Sequence, residues 1–273
     1  ARGFSFGYVG SVILLVICLI LVQNFELFGF PDSKSATKFT FLLVGLWWIF
    51  FSQITLYYLP QNAKKIKLTL DILTYGAREL IKVWNYIKKV RNLKLYLFSY
   101  FFYSIGVQTI MLIASYFGAK ELNLDQSKLI MTILIIQLIA IFGAYFFAYI
   151  SSIKGNKFSL VIMNIFWIIV CLSAYYTTNE NQFYLLAVAV GILMGGIQSL
   201  SRSAFLKLIP IEVKDHASFF NFYGISYNIS IVVGTFSYGY IEQLTGNMKA
   251  SILALMFFFI IGLIILIFTK IKR

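Results

Sequence analysis

Ala250-Ser-Ile-Leu-Ala-Leu-Met-Phe-Phe-Phe-Ile-Ile-Gly-Leu-Ile-Ile-Leu-Ile-Phe-Thr269 runs for twenty residues without a charge. About 20 apolar helical residues are what a bilayer core of roughly 30 Å requires. Seven further stretches read the same way: 7–23, 39–59, 95–118, 129–150, 158–178, 183–201 and 217–241. All 23 Lys/Arg and all 10 Asp/Glu lie between the eight stretches or at the ends. A backbone in hydrocarbon must satisfy its own hydrogen bonds, which a helix does within one segment. The expected fold class is an all-α polytopic membrane protein with eight transmembrane helices.

Composition agrees. The chain is 60% hydrophobic and 12% charged, where a soluble domain carries about 25% charged residues. Its net charge of +13 does not point to nucleic acid, because the cations sit in short loops. Cytoplasmic loops carry excess Lys/Arg. Arg2, the segment 60–94, the loops 151–157 and 202–216, and the C-terminus together hold 18 of the 23 cations. The opposite side holds Lys34, Lys38, Lys120, Lys128 and Lys249. Both ends of the chain are therefore expected on the cytoplasmic side. Cys18 and Cys171 lie within expected spans, and His216 is the lone histidine. No pattern for a cofactor or metal site follows from them, and the spans hold no acid, base or metal set of the kind an intramembrane enzyme needs. Residue 1 is Ala, with no signal-peptide start behind it. The expectation is a piece of a longer protein.

The long connection 60–94 is patterned. Ile66, Leu70, Leu73, Ala77, Leu80, Trp84 and Ile87 alternate spacings of four and three, the stripe of an amphipathic helix, while Lys64, Lys67, Arg78, Lys82 and Lys89 lie mostly off it. Such a helix lies in the membrane interface, packs on the ends of the bundle, or does both. The expected organisation is two spans in 1–59, a basic linker in 60–94 and six spans in 95–273.

With no ionisable group inside the spans, amides and hydroxyls are the candidates for a solute cavity. They are Tyr103, Gln108, Gln137, Gln198, Asn221, Tyr223 and Asn228, with Tyr227 also deep in its span. Each amide, and Asn164 with them, could instead join two helices. Gly195, Gly196 and Gly224 are candidate hinges, and Gly191-x3-Gly195 also has the spacing of close helix packing. Arg202 is a candidate gate residue, paired with Asp215 or Glu212, or else a simple positive-side anchor.

The stretch Gly191-Ile-Leu-Met-Gly-Gly-Ile-Gln-Ser-Leu-Ser-Arg-Ser-Ala-Phe-Leu-Lys-Leu-Ile-Pro210 resembles the signature of the vacuolar amino-acid effluxer-like branch of the major facilitator superfamily. Tyr103-Ser-Ile-Gly-Val-Gln-Thr-Ile110, Phe219-Phe-Asn-Phe-Tyr223 and Leu244-Thr-Gly246 resemble it in order. The resemblance implies a bacterial, N-terminally truncated member. Its spans would be the fifth to twelfth of a twelve-helix fold, with the first four expected on the same polypeptide. It implies a secondary transporter of small solutes, amino acids or related metabolites, working by alternating access in the cytoplasmic (inner) membrane. The lipid bilayer and a small-molecule solute are the expected partners. The alternative is a truncated protein that folds or oligomerises without transporting. The loop 148–157 keeps Gly155 and Lys157 of a superfamily pattern, but has Ala148 and Ser152 where Gly and Asp are usual.

Overall fold

The computed structural model describes residues 2–59, 71–210, 213 and 215–271. Among these residues it has nine α-helices and one 3-10 turn. They are α1 (Arg2–Gln23), α2 (Ser33–Tyr58), α3 (Asp71–Lys89), α4 (Arg91–Glu121), α5 (Gln126–Lys154), α6 (Asn156–Tyr176), α7 (Glu180–Leu208), α8 (His216–Thr245) and α9 (Met248–Phe268), with the 3-10 turn at Phe25–Phe28. Seven are long and apolar enough to cross a membrane: α1, α2, α4, α5, α6, α7 and α9.

The stretch 217–241 was expected as an eighth span. It lies in the 30-residue helix α8, but α8 is not among the seven. Its Asn, Ser, Thr and Tyr residues lower its hydropathy, and some of them face the protein: Tyr223, Ser230 and Tyr238 are buried. α8 packs on α4 and α9.

The helix starts follow from capping. Asp32, Asn179 and Asp215 accept from the amides of Ser35 (2.6 Å), Gln182 (2.9 Å) and Ser218 (3.1 Å), groups that have no partner inside their helix. Bonds from the Ser218 side chain and amide hold the Asp215 carboxyl below its usual range. Gly246 ends α8 in the left-handed region (φ 64°), which glycine adopts without strain.

Small residues set the helix rotations. α5 packs most extensively against α7. A Cβ on Gly195 would overlap the Ala140 carbonyl oxygen, and one on Gly191 would sit 2.7 Å from that of Ile136. From the other side, a Cβ on Gly143 would overlap the Ile192 carbonyl. The Gly191-x3-Gly195 spacing is thus a backbone-to-backbone contact. α4 meets α9 similarly: Phe259 lies over Gly106, and Ser99 Oγ donates to the Gly262 carbonyl at 2.7 Å. Trp167 stacks on Phe259 with centroids 5.5 Å apart, joining α6 to α9.

α1 packs on α5, and α2 packs on α1. Both helices are exposed on most faces, Phe41, Trp48 and Phe50 among them. A helix that is apolar all round belongs in lipid or against other helices.

The linker expectation splits at the described boundary. Lys64, Ile66, Lys67 and Leu70 lie outside the described residues. From Asp71 the chain is helical, and α3 packs on α8 and α4. Val83 and Ile87 are buried, Trp84 stacks on Phe222 (5.7 Å, 13°), and Tyr86 meets Phe219 edge-on at 5.5 Å. This part of the linker is therefore docked on the bundle. Burying a large apolar side chain contributes about 1.5–3 kcal/mol, and Trp84 is half-buried. Trp84→Ala is expected to speed tryptic cleavage at Lys88 and Lys89 by roughly tenfold, at about 1.4 kcal/mol per decade. Unchanged cleavage would mean that α3 is held elsewhere.

Candidate functional site

α4 carries Tyr96, Tyr100, Tyr103, Ser104 and Gln108 at spacings of three and four, which places them along one face of the helix. α8 carries Tyr223, Tyr227 and Ser230 in the same way, and α7 carries Gln198, Ser201 and Arg202. The three faces meet. Between them lies a cleft of about 180 Å³, closed on one side by Phe4 of α1.

Four expected cavity residues line this cleft: Tyr103, Gln108, Gln198 and Tyr223; Tyr227 and the gate candidate Arg202 also line it. Gln137 lies apart from it, in an adjoining groove of about 600 Å³ beside Gly3, Gly7 and Ser11 of α1. Gln198, Arg202 and Phe4 line both spaces. Asn221 and Asn228 line neither and are exposed on α8. Asn164 is fully buried and donates to the Leu160 carbonyl of its own helix at 2.8 Å.

The cleft walls are held by hydroxyls. Tyr96 Oη donates to the Ser201 carbonyl at 2.6 Å, and Tyr103 Oη and Ser201 Oγ are 2.7 Å apart. Tyr100 stacks on Tyr223 with centroids 4.1 Å apart. Ser230 Oγ donates to Ser104 Oγ at 3.0 Å, tying α8 to α4. Tyr227 Oη donates to Gln108 Oε1 at 3.0 Å. Tyr8 Oη of α1 donates to Gln198 Oε1 at 2.9 Å, and Gln198 Nε2 points to Met111 Sδ at 3.5 Å. Both glutamine oxygens are therefore occupied by tyrosine hydroxyls. No carboxylate lines the cleft among the described residues. The donors left for a solute are the Gln108 amide N–H groups and the Arg202 guanidinium.

The Arg202 guanidinium lies over the Phe4 ring, 5.2 Å from its centroid. Among the described residues it has no carboxylate partner, and Asp215 is engaged as the cap of α8. Glu212, the other acid expected opposite it, lies outside the described residues. The hinge candidates differ from one another. Gly195 and Gly196 are packed, Gly196 against Phe147 and Met163, whereas a Cβ on Gly224 would meet nothing within 4 Å. α7 and α8 run unbroken through all three. No cluster of three or more His, Cys, Asp or Glu that could hold a metal occurs among the described residues.

Sequence reading missed Phe4, Tyr8, Tyr100 and Ser104. The last two were signalled by their place between Tyr96 and Gln108 on the helical repeat. Phe4 and Tyr8 reach the site from α1, and Tyr8 is 190 residues away from Gln198 in the chain, which no local pattern reveals.

The model of a family described as "Vacuole effluxer Atg22 like" matches residues 1–273. Among curated proteins, the chain is 32% identical over 270 residues to an uncharacterized MFS-type transporter, YxiO, of Bacillus subtilis, covering 98% of this chain and 62% of that protein. It is 26% identical over 274 residues to autophagy-related protein 22-1 of Emericella nidulans, covering 91% and 45%. It is 25% identical over 289 residues to autophagy-related protein 22 of Kluyveromyces lactis, covering 96% and 56%. The chain thus spans about half of the length of the relatives it matches.

Proposed function

The chain belongs to the family of Atg22-like vacuole effluxers, and from that premise we propose that it forms the last eight spans of a twelve-helix, alternating-access transporter of the major facilitator type. α1 and α2 are the fifth and sixth spans. Segment 60–94 connects the two halves, and α4 to α9 make the second half, with α8 as a spanning helix. The first four spans belong to the same polypeptide. Relatives up to about twice as long as this chain support that reading. The assignment of 18 of 23 cations to one side supports cytoplasmic ends, and the membrane we assign is a bacterial cytoplasmic one.

The cleft between α4, α7 and α8 carries the functional reading. Transporters of this architecture bind their solute between the halves, near the midplane. Here the walls are four tyrosines and two glutamines, with one cation and no carboxylate among the described residues. The Gln108 amide N–H groups beside a guanidinium suit a small solute with an acceptor or carboxylate group. Amino acids and related metabolites have that chemistry. Tyr103, Gln108, Gln198 and Tyr223 contact the solute. Asn221, Asn228 and Gln137 face the other half or the side groove, and Arg202 gates the cleft mouth. Bending is assigned to Gly224, with Gly195 and Gly196 serving as the packed pivot beside α5.

The test is uptake and efflux of a labelled amino-acid mixture by the full-length protein in proteoliposomes. Gln108→Ala and Arg202→Ala are expected to lower the rate by about tenfold or more at matched protein levels, since each removes a hydrogen bond to a charged or buried group of about 1.5–3 kcal/mol. Lys34→Ala, at the exposed start of α2, is expected to leave it unchanged. Wild-type rates in both cleft variants would show that the solute takes another path.

A further inference from the structure

We infer that the pocket between α6 and α9, at the end of the bundle where α5 turns into α6, holds the phosphate headgroup of an anionic phospholipid from the surrounding bilayer. The pocket has a volume of about 430 Å³. Lys154 and Lys157 line it together with Phe158, Val161, Ile267 and Ile271. Lys154 is the last residue of α5 and Lys157 the second of α6. Gly155, at φ 89°, makes the one-residue joint that brings both onto the same pocket.

Charge marks this place. At the opposite end of the bundle two of the lysines are neutralised within the protein: Lys120 pairs with Glu242 and Lys128 with Glu180, each at 2.5 Å. At this end Lys154 has neither a hydrogen bond nor an ion pair among the described residues. Lys157 gives one bond to the Ile267 carbonyl at 2.6 Å, which leaves two of its three ammonium donors. Lys207 reaches the same rim, 3.5 Å from Asn156 Oδ1. These ammonium groups leave donors open to an external anion.

The wall decides which anion. Phe158 is 44% exposed and Ile267 51% exposed, and both line the pocket with the two lysines. α6 and α9 are both helices long and apolar enough to cross the membrane. A free phosphate has no use for that apolar strip. A phospholipid places its phosphate on the ammonium groups and lays an acyl chain along Phe158, Val161 and Ile267. Each basic residue near an anionic lipid surface is worth enough for roughly a fivefold change in affinity.

The test uses the full-length protein in nanodiscs of mixed phosphatidylglycerol and phosphatidylcholine, released and weighed by native mass spectrometry. Retained phosphatidylglycerol is expected to exceed phosphatidylcholine. It is expected to fall roughly fivefold in Lys154→Ala and about twenty-five-fold when Lys157→Ala is added. Lys154 makes no internal bond, so the single variant reads the site even if removing Lys157 frays α9. Lys154→Arg is expected to retain the lipid, and excess inorganic phosphate to leave it in place. Equal retention of the two lipids, wild-type retention in Lys154→Ala, or displacement by inorganic phosphate would each overturn the assignment.

Discussion

Gly195→Leu is expected to remove most of the folded protein from detergent extracts. At this position α7 touches α5 backbone to backbone, and even a methyl group would overlap the Ala140 carbonyl oxygen. A carbonyl cannot rotate aside as a side-chain end can. The helices would have to part along the contact that also contains Gly143 and Gly191. Overpacking a close-packed interior costs about 1–3 kcal/mol for small additions, and a leucine adds three more carbons than alanine does. In a membrane no hydrophobic drive between helices compensates, because lipid is as apolar as leucine. The measurement is size-exclusion profile and thermal stability of a fluorescent fusion of the full-length protein. Gly195→Ala is expected to show an intermediate loss. Gly224→Ala is expected to extract like wild type, since its added methyl meets nothing within 4 Å. A monodisperse, stable Gly195→Leu would show that the α5–α7 contact is wrong. The same pair separates packing from hinging: if bending occurs at Gly224, Gly224→Ala folds normally but transports slowly.

The second large effect is expected at Gln198. This side chain lines both the cleft and the side groove, and it accepts from Tyr8 of α1 at 2.9 Å. Gln198→Ala removes a polar group from the solute's surroundings and leaves the buried Tyr8 hydroxyl without its acceptor. An unmet buried polar group costs about 1–3 kcal/mol, which corresponds to roughly a ten- to hundredfold fall in transport. Tyr8→Phe removes the donor but leaves the amide free to bind water or solute, so a smaller loss is expected. The double variant should be little worse than Gln198→Ala alone, because the two residues share one bond. Additive losses would mean that they act independently. Asn228→Ala, on the exposed face of α8, should leave this coupling intact.

Much of the architecture was legible because bilayer crossing is a one-dimensional property. Charge-free length is written in the sequence, and the seven helices long and apolar enough to cross correspond to seven of the eight apolar stretches. Some helices start well before those stretches, where a cap outside the apolar run sets the start: Asp32 for α2 and Asn179 for α7. The stretch 217–241 was the exception. Its polar residues were weighed as solute contacts, but the same residues lower the hydropathy of α8 itself. The linker stripe was legible too, yet not what it faces. Trp84 could lie in the interface, on protein or on both, and only the position of Phe222 shows the contact with protein.

Charge-free length and local motifs were enough to read a helical membrane protein, the place of most of its helices and the family it resembles. The tertiary structure decided which polar side chains converge. Tyr103, Gln108, Gln198 and Tyr223 share one cleft, while Asn221 and Asn228, equally polar and in the same helix as Tyr223, turn away from it. The physical reason is rotation. A helix in lipid is apolar on nearly every side, so its residue pattern does not tell its inner face from its outer one. That face is set by close contacts such as Gly195 on Ala140 and Gly262 on Tyr103, which link residues far apart in the chain.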